Sequence, residues 1–104
     1  MMTLLQLDIR ADHPAFAGHF PEDAIVPGVV LLDESLQAVA AHLDIGIGGC
    51  TIVSAKFVNP ARPGEPILLE FERRDDGRVQ VELRSGERPL ASALIELPAG
   101  AAGR

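Results

Sequence analysis

The segment from His13 to Gln37 sets titratable side chains among apolar residues, without the regular spacing of a solvated surface. His19 lies in a Gly-His-Phe-Pro sequence, where Gly18 allows close backbone approach and Phe20 shields the imidazole from water. Burial favours the neutral imidazole, which is the form that accepts a proton. The pattern indicates a general base at His19. A core histidine bonded to a backbone carbonyl is an equal alternative.

Asp33 interrupts an apolar run at 29–32, and Gln37 follows one helical turn later on the same face. A buried carboxyl needs hydrogen-bonding partners, and desolvation favours its protonated form, which can protonate a leaving group. Gln37 would then orient that acid. Glu34 is a rival for the acidic role. The pattern equally allows Asp33 and Glu34 to mark the solvent side of an amphipathic helix.

Pro27 and Gly28 stand where a helix is expected to begin. Free N–H groups and the positive end of the helix can stabilise an oxyanion there, and a glycine lets a ligand carbonyl come close. Pro27, Gly28 and the adjoining Val29 are therefore candidate substrate-binding residues, together with Gln37 and Phe20.

Hydrophobic periodicity predicts the elements that position these residues. The chain opens with a strand, in which Leu5, Leu7 and Ile9 alternate with polar residues, and residues 11–26 form a structured loop. A helix of about four turns begins at Pro27 and ends near Gly46, and nearly all of its surface is apolar. A period of two then predicts four strands around Val53–Phe57, Ile67–Phe71, Val79–Leu83 and Ala91–Leu97.

The four later strands are expected to form an antiparallel meander. Hairpin turns are predicted at Asp75-Asp76-Gly77 and at Ser85-Gly86. The fold class is α+β, with the half-buried strands curled around the helix. Two such units could join their sheets edge to edge, which would cover an exposed edge strand.

Length, composition and charge limit the classes of function that are expected. A chain of 104 residues, 47% hydrophobic and 23% charged, is one domain, expected over residues 1–98 with a disordered tail at 99–104. A net charge of -6 and only four aromatic residues disfavour nucleic acid. Cys50, as a lone cysteine, offers neither a disulfide nor a thiolate metal site and fits the cytoplasm. Neither a signal peptide nor a membrane-spanning helix is expected.

The motif G-H-F-P-x5-P-G-x4-D-x3-Q resembles that of the 3-hydroxyacyl-acyl-carrier-protein dehydratases of the FabZ and FabA type, which have the hotdog fold. Ala55-Lys56-Phe57, Asn59-Pro60 and Pro63-Gly64 extend the resemblance beyond the helix. It implies a dimer with active sites at the interface, with no metal or cofactor. In these sites His19 is the base, Asp33 of the other subunit the acid, and the Gly28 N–H the oxyanion donor.

The chain is most similar to the short, ApeI-like dehydratases of aryl-polyene pathways, although Asp33 is typical of the FabA branch, whose members can also isomerise the double bond. The resemblance implies an acyl carrier protein as partner, and a higher oligomer or heterodimer is possible. A thioesterase using Asp33 alone and a non-catalytic acyl-binding subunit are the alternatives. Because carrier proteins are acidic, a basic docking patch is expected. Its candidate residues are Lys56, Arg62, Arg73, Arg74 and Arg78.

Overall fold

The computed structural model describes residues 2–7, 9, 26–46, 48–62 and 64–98. Within them the chain forms one helix and one five-stranded antiparallel sheet, in the order β1-β3-β4-β5-β2. The α+β class is confirmed. The elements are β1 (Thr3–Leu7), α1 (Gly28–Leu43), β2 (Thr51–Phe57), β3 (Ile67–Arg73), β4 (Val79–Ser85) and β5 (Arg88–Glu96).

The neighbouring strands β3, β4 and β5 form one side of the hydrophobic core. In β3, β4 and β5 alternate side chains are buried, as the period of two predicts, because one face of the sheet packs on the helix and the other meets solvent. Leu31 and Val39 of α1 join this core from above, and Leu7 and Ile9 close it beside β1. The buried residues of these three strands are Ile67, Leu69, Phe71, Val79, Val81, Leu83, Leu90, Ala91, Ala93 and Ile95.

The helix begins where the sequence predicts, and it ends slightly earlier. Pro27 is the N-cap, and its carbonyl accepts hydrogen bonds from Val30 N at 3.0 Å and Leu31 N at 3.1 Å. At the other end Asp44 adopts the left-handed conformation with φ 56° and ψ 47°, which stops α1 before the glycines begin at Gly46.

The expected meander is correct for β3, β4 and β5 and wrong for β2. Hairpins join the three at the predicted turns, where Gly77 and Gly86 have positive φ. Strand β2 instead lies beside β5, on the edge opposite β1. The connection 58–66 crosses that end of the sheet, where the N–H groups of Val58 and Gly64 donate to Leu90 O and Ile9 O, both at 2.8 Å.

Burial also departs from expectation in β2 and on one side of α1. All seven residues of β2 are exposed, so the predicted half-burial of Val53 and Phe57 does not occur within one protomer. The reason is positional, because β2 is an edge strand. The helix likewise buries only one side, through Leu31, Ser35, Val39 and Ala40, rather than nearly its whole surface.

Several predictions from the sequence fall on other parts of the chain. The loop at 11–26, apart from Val26, and the tail at 99–104 lie outside the described residues. Among the residues that are described, no helix combines the length and hydrophobicity needed to cross a membrane.

Candidate active site

One face of α1 carries three of the predicted site residues. Val29, Asp33 and Gln37 are four residues apart, so they lie in a row along the helix. All three are exposed, and Val29, at 74%, is the most exposed of the large hydrophobic side chains that the structure describes. The burial expected for Asp33 is therefore not provided by its own protomer.

The predicted contact between Asp33 and Gln37 is present. Gln37 Nε2 donates a hydrogen bond of 2.7 Å to Asp33 Oδ2, which orients the carboxyl group through one of its two oxygens. Glu34, the rival acid, is half-buried on another side of the helix. Ser35 is buried, and its hydroxyl donates to Leu31 O at 2.7 Å. Of the two acids, only Asp33 shares the exposed face.

The start of α1 is in contact with the end of β2. A Cβ placed on Gly28 would lie 2.8 Å from Cζ of Phe57, closer than side-chain carbons approach each other. A side chain at position 28 would therefore have to displace the Phe57 ring. The N–H groups of Gly28 and Val29 have no intrahelical acceptor, because they belong to the first turn. Sequence analysis did not identify Phe57 as a site residue, although it lies in the Ala55-Lys56-Phe57 segment.

Backbone contacts hold the segment after β2 against the helix start. Val26 N donates to Ala61 O at 2.7 Å, just before Pro27. Asn59 Nδ2 donates to Pro89 O at 2.7 Å, which ties the same segment to the start of β5. The position of the helix start is therefore coupled to β5 through residues that are distant in sequence.

Arg88 adds a second tie to this segment. Its Nη1 donates to Pro60 O at 2.8 Å, and its Nη2 forms an ion pair with Glu65 Oε1. The other oxygen of Glu65 accepts from Arg62 N at 2.9 Å. Arg88 thus holds this segment at Pro60 and, through Glu65, at Arg62.

The structure describes five of the seven predicted site residues. It places Pro27, Gly28, Val29, Asp33 and Gln37 on the first three turns of α1. The axial rise of a helix separates Gly28 from Asp33 by about 7.5 Å. His19 and Phe20 lie outside the described residues.

The predicted basic patch divides between the two ends of the sheet. Phe57 is opposite Ala91, in the row that continues through Leu83 to Leu69. Arg73 lies four residues beyond Leu69, about 13 Å along the strand, and Arg74 and Arg78 lie in the turn that follows. Lys56 and Arg62 are at the Phe57 end. These two are the predicted docking residues that lie near the helix start.

Solved structures with this architecture define the class of the fold. The dehydratase heterocomplex ApeI:P from Xenorhabdus doucetiae superposes with a TM-score of 0.70 and 21% identity, over 91% of this chain and 85% of that one. The fluoroacetyl-CoA thioesterase FlK superposes with a TM-score of 0.66 and 14% identity, over 91% and 82%. The protein therefore has the hotdog fold. Identities this low carry no information about the reaction.

Sequence relatives narrow this class to a family. The model of the ApeI-like dehydratases (ApeI dehydratase) matches residues 2–93. The FabZ dehydratase of Thermus thermophilus is 32% identical over 107 aligned positions, covering 90% of this chain and 75% of that enzyme. The FabZ of Alkaliphilus metalliredigens is 36% identical, covering 85% and 67%. The chain belongs to the ApeI-like dehydratases of the wider FabZ group. The aligned segment covers 50% of the FabZ of Chlamydia muridarum and 43% of that of Rhizobium rhizogenes, so the chain spans about half the length of these relatives.

Proposed function

We propose that this protein dehydrates a 3-hydroxyacyl thioester, carried on acyl carrier protein, to the trans-2-enoyl thioester. The observation that carries the proposal is Asp33, oriented by Gln37 on an exposed helix face about 7.5 Å along the helix from Gly28. Family membership supports the same reaction, because the matching family model is that of a dehydratase.

The active unit in this proposal is a homodimer with shared sites. Strand β2 and the Val29 face of α1 leave an apolar surface uncovered, and contiguous surfaces of this kind mark interaction sites. A second copy on this surface would remove water from Asp33, and desolvation favours the protonated carboxyl that donates a proton. Each site would then combine His19 of one protomer with Asp33 of its partner.

The proposed chemistry is acid–base elimination. The Gly28 N–H donates to the thioester carbonyl oxygen as negative charge develops there. Neutral His19 takes the proton from C2, and the electron pair of that bond forms the double bond to C3 as the C3–O bond breaks. Asp33 donates its proton from Oδ1 to the departing hydroxyl, which leaves as water. The imidazolium and the carboxylate then exchange one proton, which restores both groups.

Product analysis tests the reaction. Mass spectrometry of products from a panel of 3-hydroxyacyl thioesters should show enoyl thioesters, whereas free acids would indicate a thioesterase and no turnover a binding subunit. His19→Ala and Asp33→Asn should each lower kcat by ~10²- to 10⁴-fold, the usual contribution of a general acid or base. A His19→Ala protein as fast as the parent would refute the assigned role.

The carrier protein is proposed to dock near Arg62, which is exposed beside the Phe57 end of the sheet. Charge reversal by Arg62→Glu should weaken binding of the acidic carrier protein and flatten its dependence on salt. Arg74→Glu is the matched control, because Arg74 is exposed at the opposite end of the sheet. Calorimetric titration with the carrier protein measures both variants. Equal losses in the two would contradict this docking site.

A heterologous partner is the alternative to a second identical copy. It is suggested by the ApeI:P heterocomplex, in which a chain of the same fold belongs to a complex of two different proteins. The mass of the purified protein in solution, measured by light scattering, distinguishes the two.

We place the reaction in the cytoplasm, since the lone Cys50 fits a reducing compartment.

A further inference from the structure

A cavity opens between the start of α1 and the end of β2. Its volume is ≈ 480 Å³, which is within the usual range for small-molecule pockets. Its walls are mostly apolar side chains, and Gly28 forms part of them. The lining residues are Val26, Gly28, Leu31, Phe57, Val58, Asn59, Pro60 and Ala61.

Phe57 is the adjustable wall of this cavity. Leu31 and Ala61 are buried at 2% and 1% exposure, so the core holds them in place. Asn59 is fixed by its hydrogen bond to Pro89 O. The Phe57 ring is 51% exposed, although its tip packs against Gly28. Val58 is equally exposed at 52%, but the three atoms nearest to a Cβ on Gly28 all belong to Phe57. The size of the Phe57 ring therefore sets the width of the cavity beside the helix start.

The position of Gly28 identifies what this cavity holds. If the Gly28 N–H binds the thioester carbonyl, the first carbons of the acyl chain lie within a few bond lengths of Gly28. The apolar lining suits those methylene groups and offers little to a charged ligand. We propose that the acyl chain occupies this cavity and that Phe57 determines which acyl chains fit. This inference rests on the proposed function, because it uses the same carbonyl site.

Two substitutions that change the size of the side chain at position 57 in opposite directions test the inference. Phe57→Leu widens the cavity and should shift preference toward longer or bulkier acyl chains, whereas Phe57→Trp should shift it toward shorter ones. A misfit of one methylene typically changes kcat/KM by ~10- to 200-fold, so each shift should be at least about tenfold. A role limited to stability would not give opposite shifts. Leu4→Ala is the control, since Leu4 is an exposed residue of β1 on the opposite edge of the sheet and does not line the cavity.

Two readouts separate this inference from the reaction itself. The first is the affinity for saturated acyl-pantetheine thioesters that differ by one methylene, and the second is kcat/KM for the matching 3-hydroxyacyl thioesters. Opposite shifts in affinity without any enoyl product would support the acyl pocket and overturn the dehydratase. Unchanged chain preference in both variants would overturn the inference. A change in oligomeric state, measured as the mass in solution, without a change in chain preference would also overturn the inference. Phe57 would then be an interface residue only.

Discussion

At the scale of single residues, Gly28 meets two requirements at once. Its N–H is the proposed oxyanion donor, and its lack of a side chain makes room for the ring of Phe57. The atoms nearest to a new Cβ are at the far end of a half-exposed side chain, which can turn away without disturbing the core. Gly28 should therefore matter more for the shape of the pocket than for stability.

Gly28→Ala is expected to change the free energy of unfolding by less than about 1 kcal/mol, because the better helix propensity of alanine offsets the displaced ring. The new Cβ and the displaced ring would both intrude on the pocket, so kcat/KM should fall at least about tenfold. Urea unfolding and steady-state kinetics measure the two effects. A large loss of stability with unchanged kinetics would show that Gly28 serves packing alone.

The pair formed by Asp33 and Gln37 shows what sequence predicts well at this scale. Residues four apart on a helix are neighbours whatever the rest of the chain does, so their spacing was sufficient. The contact between Gly28 and Phe57 joins two elements that are distant in sequence. Nothing in the local pattern specifies which strand residue reaches the helix start, and Phe57 was identified only from the structure.

At the scale of elements, the end of α1 is stabilised by backbone bonds around a strained residue. Asp44 N donates to Ala41 O at 3.2 Å and Ile45 N donates to Ala40 O at 3.0 Å, which is the Schellman pattern. The left-handed position of a Schellman motif is usually occupied by glycine, and in this protein it is occupied by Asp44. A carboxylate at the negative end of the helix adds an unfavourable charge interaction.

Asp44→Gly should raise the free energy of unfolding by about 1 kcal/mol, because it removes both the Cβ strain and the charge. In a domain of this size that corresponds to an increase in Tm of roughly 4–8 °C. Asp44→Asn separates the two effects, since it removes the charge and keeps a side chain at positive φ. Thermal unfolding of the three proteins measures the difference. A glycine variant no more stable than the asparagine variant would contradict the strain argument.

Strand β2 marks the limit of prediction from pattern. The alternation in β3, β4 and β5 predicted burial correctly because the helix of the same protomer covers them. The alternation of Val53 and Phe57 is equally regular, yet no part of the described protomer covers β2. Strand β2 pairs with β5, and Val58 and Gly64 of the connection that follows donate to Leu90 and Ile9; no local period encodes these long-range contacts.

At the scale of the whole molecule, the uncovered surfaces support the proposal that the active unit is a dimer. Val29, Asp33 and Phe57 are all exposed, and Phe57 lies against Gly28 at the start of the helix that carries the other two. An acid–base pair works best where water is excluded. A second copy on this surface would supply that exclusion, and it would also place the partner's loop near the helix face.

The most direct test of the shared site is complementation between two inactive variants. His19→Ala and Asp33→Asn are co-expressed with different affinity tags, and the mixed dimer is purified through both tags. Because a two-fold dimer has two sites, the mixed dimer has one site with both groups intact and one with neither. We predict about half of the parent activity per mixed dimer, against at most about 1% for either variant alone. A mixed dimer as inactive as the His19→Ala and Asp33→Asn proteins would show that each site takes both residues from one chain.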